Sequence, residues 1–293
     1  MASQHDSVTL RLMNAGDFAA AIEVWRDAFA TSTEFPQSTT PLTASEEAAG
    51  IARRAHLLRH DPGGSFVAEA DDVVVGFAQS HRREGTFVLA MLAVSPKFQE
   101  AGIGQRLLDA ALEYAMGCSA AYIFSSSDPR AIHRYVRAGF TMHPAVQISA
   151  RPTNSNLAYD RIRVSQGGPE DIAYVESIDR ALRGSARSID VAYWLESGST
   201  LLLHEENGYA VLSSDRLTAL GAADVTVARE LFGAVLSGYP DGVTRSASWI
   251  AGEQQWAIAE AAAQRATIEV HGSIMARGMR HLPYPYLPNG LFG

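Results

Sequence analysis

The stretch Phe87-Val-Leu-Ala-Met-Leu-Ala-Val94, followed by Ser95-Pro96 and then by Gln99-Glu100-Ala101-Gly102-Ile103-Gly104-Gln105, narrows the possible folds more than any other part of the chain. An unbroken apolar run ending at Ser-Pro predicts a strand covered on both faces. Gly102 and Gly104 then let the backbone turn closely onto a helix, and let a bulky ligand approach where a Cβ would collide. The first helical turn leaves N–H groups without partners at the positive end of the helix dipole. A phosphate or pyrophosphate suits that position. A tight strand-to-helix connection that binds nothing is the competing reading.

Spacing sorts the phosphate-binding motifs. A P-loop needs Gly-Lys-Ser/Thr, and no lysine follows Gly104. A dinucleotide fingerprint needs a third glycine where Leu107 stands. Beyond the turn, Ile103, Leu107, Leu108, Ala111, Leu112 and Ala115 form one apolar face of a helix that Gly117 ends. A strand at 120–124 comes next. Ser127-Asp128-Pro129 then reads as a cap with proline in the first turn of a second helix, stopped by Gly139.

Gln99-x-x-Gly102-x-Gly104 behind a strand ending Val94-Ser-Pro96 resembles the pyrophosphate signature of the GCN5-related N-acetyltransferases (GNAT). Asp128-x-x-Ala131 leading to Tyr135-x-x-x-Gly139-Phe140 is similar to that family's second motif. The resemblance implies that Gln99, Glu100, Ala101, Gly102, Ile103, Gly104 and Gln105 cradle coenzyme A. It also implies that Asp128 and Ala131 border the pantetheine arm, and that the backbone around Leu92, Ala93 and Val94 holds the thioester oxygen. Tyr135 would be the general acid. Asp128 stands where the family usually has asparagine, and an ionised carboxylate cannot donate a hydrogen bond to pantetheine. Glu34 and Phe35, after the first helix, and His81, near the end of the third strand, are candidates for the acceptor pocket. For a general base the candidates are Glu34, Glu84 and His81, each of which can also be read as an ordinary surface residue.

Two halves with one order of elements are expected. The first has a strand at 8–13, helices at 15–31 and 43–60, strands at 65–71, 73–82 and 87–94, the helix–strand–helix segment above and a strand at 141–150. After Pro152-Thr-Asn-Ser-Asn156, which reads as a linker, the order starts again. It gives a strand at 162–164, helices at 169–182 and 189–195, and strands at 200–204, 208–213 and 217–222. A helix at 225–237, a strand at 243–250, a helix at 253–264 and a strand at 267–276 complete it. The fold class is therefore α+β, with mixed α/β/α layers: a tandem duplication of the GNAT fold in which each half is a mixed, mostly antiparallel sheet flanked by helices. Domains are expected at 1–150 and 159–293, joined by 151–158. The second half has Leu220-Gly-Ala-Ala-Asp224 where the first has its glycine turn. An aspartate there caps the helix and repels a pyrophosphate, which makes this half a degenerate copy.

Composition excludes several classes. Hydrophobic residues make up 47% and charged residues 19% of the 293, and no stretch reaches the length of a membrane span. The first residues show no export signal, so a cytoplasmic protein is expected. One cysteine, Cys118, excludes an intrachain disulfide and a cysteine-rich metal site. A net charge of −8 disfavours nucleic acid. His56 and His60 have a zinc-like spacing, but Leu57 occupies the place of the zinc-protease glutamate, and a solvated helix end is expected with no metal. The proline- and aromatic-rich tail from His281 is expected to dock.

Together these readings describe an acetyl-CoA-dependent N-acetyltransferase acting on a primary amine of a small molecule, as a monomer or homodimer. Its rivals are a different acyl-CoA donor, a non-catalytic acyl-CoA sensor, and a peptidyl transferase using aminoacyl-tRNA, against which the acidic surface argues.

Overall fold

Caps written in the sequence start the first helices. Asn14 accepts the Gly16 N–H and Thr43 accepts the Glu46 N–H, each within a reciprocal capping box. The computed structural model describes residues 8–30, 42–150, 163–243 and 245–293. In chain order the first series is β1 (Thr9–Leu12), α1 (Phe18–Phe29), α2 (Ala44–His60), β2 (Ser65–Ala70), β3 (Val73–Arg83), β4 (Thr86–Val94), α3 (Ile103–Tyr114), β5 (Ala120–Ser125), α4 (Pro129–Arg137) and β6 (Thr141–Ser149). The second is β7 (Val164–Gly167), α5 (Ile172–Arg183), α6 (Ser188–Glu196), β8 (Thr200–His204), β9 (Gly208–Ser213), β10 (Arg216–Ala222), α7 (Val225–Leu236), β11 (Ser246–Ala251), α8 (Gln255–Ala263) and β12 (Thr267–Arg277). Both series run strand, two helices, three strands, helix, strand, helix, strand. The tail adds β13 (Tyr286–Leu287), which sequence patterning did not show.

Contacts divide the chain into two compact units, one of residues up to Arg82 with Phe87–Ala121, the other of Arg83–Thr86 with Tyr122–Gly293. The linker expected at 151–158 lies outside the described residues.

The first unit orders its strands β1-β2-β3-β4. β1 and β2 pair antiparallel from Thr9↔Glu69 to Leu12↔Phe66, and β2 pairs β3 with a shift at Ala68/Glu69. Its core joins Met13, Phe18, Ala21 and Val24 to Val67, Phe77 and Ala93. From α3, the wholly buried Ile103, Leu107, Leu108 and Ala111 close the other side, as the apolar face of that helix requires.

In the second unit the order is β5-β12-β6-β11-β10-β9-β8-β7, with β13 added to β10. Here the two series exchange strands. β6, which closes the first series, lies between β12 and β11 of the second, antiparallel to both: Thr267↔Ser149 through Ala276↔Thr141 on one edge, Ser246↔Ser149 through Ala251↔Ala145 on the other. β12 in turn separates β5 from β6. Each ladder of β6 shifts register once, between Ala247 and Ile250 and between Val270 and Ser273. The bulges bring together Trp249, at φ +61°, and Gly272, at φ +54°. A β-branched or bulky residue at positive φ is a strained outlier.

The second unit also buries a charged network. Asp179 accepts from Arg187 Nε at 2.9 Å and from the Tyr209 hydroxyl at 2.5 Å, and Arg83 forks onto Asp190 at 2.8 and 2.9 Å. Arg187 donates further to the Gly293 carbonyl, which the Tyr286 hydroxyl also reaches at 2.8 Å. With Leu282, Leu287 and Phe292 buried as well, the tail docks as expected.

A Cβ on Gly272 would stand 2.2 Å from the Ser125 carbonyl oxygen, on a backbone that disfavours any side chain. Gly272→Ala is therefore expected to lower stability by roughly 2–4 kcal/mol, the sum of overpacking and positive-φ strain. The urea midpoint measures it, and an unchanged midpoint would show that the bulge relaxes freely.

Candidate functional site

After β4 the backbone is tied down at short intervals. The Ser95 N–H donates to Val75 O at 2.8 Å and the Phe98 N–H to Ser95 O at 2.9 Å. A 3-10 turn over Pro96–Ala101 leads to Gly102 at φ +73°, from which α3 departs. Gly102 is left-handed with nothing within 4 Å of the place a Cβ would take, so the glycine leaves open space over the helix start. Gln105 N–H and Arg106 N–H both bond Gly102 O, at 3.1 and 3.2 Å. The N–H groups of Ile103 and Gly104 precede those bonds and have no carbonyl within the helix to reach. No side chain caps α3, and its first turn carries no acidic residue.

The equivalent position in the second series is filled. Asp224 caps α7 with one carboxylate oxygen, accepting from Thr226 N at 2.7 Å and Val227 N at 3.0 Å. One helix N-terminus thus has two of its amides taken by its own chain, while the other has no side-chain cap. A carboxylate among amides satisfies the same donors that an anionic ligand would use.

Not every residue of the glycine turn faces outward. Gln99 turns its carboxamide inward, its Nε2 donating to Val94 O at 3.1 Å, and so braces the strand end. Gln105 is exposed and bonds Asp109 at 2.8 Å. Ile103 and Gly104 are buried, which leaves their backbone as the contribution they can make to a ligand. The side chains of Glu100 and Ala101 lie outside the described residues. In β4, Ala93 and Val94 are buried and Leu92 is half-buried.

The second motif forms β5 and α4 in the second unit. Asp128 caps α4 through the Arg130 N–H at 2.8 Å and grips the Arg130 guanidinium at 2.7 Å. Those bonds hold its carboxyl below the usual range, the Arg130 side chain contributing most. Asp128 is therefore an ionised cap. Ala131, in the next turn, is half-buried. Gly139, at φ +85°, ends the helix region, and Arg277 donates to Ala138 O at 3.1 Å beside the Phe140 ring, a cation at the negative end of the helix that spacing did not suggest. Tyr135 is buried, and burial pushes its phenol up to about 12. Such a phenol keeps its proton at neutral pH, as a proton donor must.

The expected acceptor residues fare differently. Glu34 and Phe35 lie outside the described residues. His81 is wholly buried in β3 and is no surface residue. Glu84, at φ +45°, is bonded by Arg180 at 2.6 and 3.0 Å and by the Ala186 N–H at 2.9 Å. Arg180 holds its carboxylate below the ordinary range, which makes it a weaker base. Beside Glu84, Arg82 stacks over Tyr114, 4.1 Å from the ring centre, and Arg83 forms an ion pair with Asp190. His56 is buried, with its ring 4.8 Å from that of His60, where a solvated helix end was expected. Among the described residues no group of His, Cys, Asp and Glu could hold a metal ion, and no helix is long and apolar enough to cross a membrane.

Residues 22–140 match the model of the acetyltransferase (GNAT) family. A stretch of 88 residues is 34% identical to the mycothiol acetyltransferase of Streptomyces avermitilis, covering 28% of this chain and 29% of that protein. The chain therefore spans under a third of that relative's length. A crystal structure of a candidate acetyltransferase from Pyrococcus horikoshii covers 98% of this chain and 96% of its own at TM-score 0.80 and 16% identity. A GCN5-related N-acetyltransferase from Sphaerobacter thermophilus covers 93% and 96% at TM-score 0.61 and 13% identity. The likeness to these structures is one of fold, a mixed sheet with flanking helices that extends along nearly the whole chain.

A folded-state pKa above the unfolded one stabilises while the proton is held and loses that contribution as pH rises through the folded value. For Tyr135 the window runs from 10.0 to about 12. Tyr135→Phe is expected to lose less stability than the wild type across that window in urea melts at stepped pH. An identical alkaline slope would mean that the phenol ionises in the folded protein without cost.

Proposed function

We propose that the chain is an N-acetyltransferase that takes acetyl from acetyl-CoA and passes it directly to a primary amine of a small molecule. The observation that carries the reading is the uncapped start of α3 behind the open Gly102 turn, set against the self-capped start of α7. Amides of a helix whose first turn carries no acidic residue suit a diphosphate. Residues 99–105 would hold it through backbone N–H groups, and the match of residues 22–140 to the acetyltransferase family supports that ligand. The second series would be a degenerate copy of the first. Its identical order of elements supports a tandem duplication whose boundary in sequence is 151–158.

Transfer requires a neutral amine, and deprotonating an alkylamine at neutral pH costs roughly 4–5 kcal/mol. The nitrogen attacks the thioester carbonyl; the C–N bond forms, the C–S bond breaks, and sulfur takes a proton as the nitrogen releases one. Tyr135 is proposed as the donor to sulfur, from its place in the second motif and its protonated phenol. A thiol of pKa near 8.5 is the stronger acid in water, so the phenol serves by donating as the thiolate charge develops and recovers its proton afterwards. Backbone N–H groups around Leu92–Val94 would receive the developing oxyanion.

Two variants separate the parts. Gln105→Glu puts a charge in the first turn of α3, where the gain against the helix dipole is offset by repulsion from Asp109. Stability is expected to stay within about 0.5 kcal/mol while CoA affinity by calorimetry falls several-fold. Unchanged affinity would remove α3 from the binding site. Tyr135→Phe is expected to slow acetyl transfer severalfold or more with CoA affinity nearly intact, read by mass spectrometry with an amine library, and unchanged turnover excludes the phenol. CoA binding without transfer to any amine would favour the sensor reading.

A further inference from the structure

Lys97 is the one lysine in the sequence, and every other member of the 24 Lys and Arg residues is an arginine. A guanidinium keeps its proton and its charge, so Lys97 carries the one side-chain amine that an acyl group can modify. It lies between β4 and α3, exposed in the 3-10 turn Pro96–Ala101. The backbone around it is anchored. Ser95 N–H donates to Val75 O at 2.8 Å, Phe98 N–H to Ser95 O at 2.9 Å, and Gln99 Nε2 to Val94 O at 3.1 Å.

Among the described residues no carboxylate or carbonyl pairs with the Lys97 ammonium. The first turn of α3 carries no acidic residue, and Asp109, further along that helix, is engaged by Gln105 at 2.8 Å. Arg106, the other cation of the segment, turns Nη1 back onto Val8 O at 2.9 Å. Lys97 thus adds a positive charge to the short segment whose helix start has no side-chain cap. An ammonium on a flexible stem acts on a phosphate as a point charge, and here its sign is that of the nearby end of the helix dipole.

We infer that Lys97 is an acetylation site whose charge helps hold the coenzyme, so that acetylation weakens coenzyme binding. The inference rests on the placement of acetyl-CoA at α3 proposed above. The cationic turn concentrates a polyanionic thioester near the one amine. The neutral Nζ attacks the thioester carbonyl of acetyl-CoA; the C–N bond forms, the C–S bond breaks, and the coenzyme leaves as its thiol with the proton that nitrogen gives up. The ammonium becomes a neutral amide, and the turn loses a charge. Because the donor of the transfer reaction is also the modifying reagent, a rising supply of acetyl-CoA lowers its own retention.

Peptide mapping by mass spectrometry after incubation of the intact chain with acetyl-CoA tests the modification. Arg59→Lys supplies a reference, a second exposed lysine in the last turn of α2. Lys97 is expected to be acetylated several-fold faster than the introduced lysine. Equal rates for the two, or no acetyl on Lys97, overturn the inference. Calorimetry with CoA reads the consequence. Lys97→Gln, neutral like the acetylated residue, is expected to bind CoA roughly two- to fivefold more weakly than the wild type, the range of one exposed charge contact, while Lys97→Arg stays near the wild type. Wild-type affinity in Lys97→Gln overturns the inference and leaves the coenzyme placement standing. No binding of CoA by the wild type removes that placement, and the inference with it.

Discussion

Strand β6 takes both of its neighbours from the later part of the chain, and the second unit depends on that pairing. A strand exposes N–H and C=O groups along two edges, and each edge needs a partner. β12 supplies one along the whole of β6, and β11 supplies the other from Ala145 to Ser149. Neither series could therefore close its sheet as an independent module, and β5, α4 and β6 are drawn into the unit that holds the second series. The register shifts follow from the same arrangement. Two bulges on the strands flanking β6 bring Trp249 and Gly272 to positive φ.

Two places in the fold set a donor group that the chain meets beside one that it does not. At α3 no side chain caps the first turn, which carries no acidic residue, whereas Asp224 takes two of the first amides at α7. At the end of α5, Arg187 is saturated by Asp179, Tyr209 and Gly293 O, while Arg183 nearby retains two buried N–H donors. In each pair the framework is equivalent or adjacent and the satisfied member serves the fold.

Much of this was legible residue by residue. The apolar run before Ser95-Pro96, the glycines of the turn and the Asp224 cap each state a local preference that the structure obeys. Other roles were hidden because side-chain partners are distant in sequence. Glu84 reads as a loop carboxylate until Arg180 and the Ala186 N–H close around it. His81 follows Gln79 and Ser80 in the polar part of β3, and residue type does not reveal that both faces of the strand are covered there. Gln99 belongs to a ligand motif by spacing, yet its amide braces Val94.

The amino-acid sequence by itself determined the elements, their order, their caps and the uncapped helix behind Gly102, since all of these follow from interactions within a few residues. Only the tertiary structure decided that β6 and β12 change places between the series, that Trp249 is strained, and that Arg183 is buried with donors to spare. Strand pairing and burial depend on residues more than a hundred positions apart, and periodicity carries no information about which edge a strand will meet.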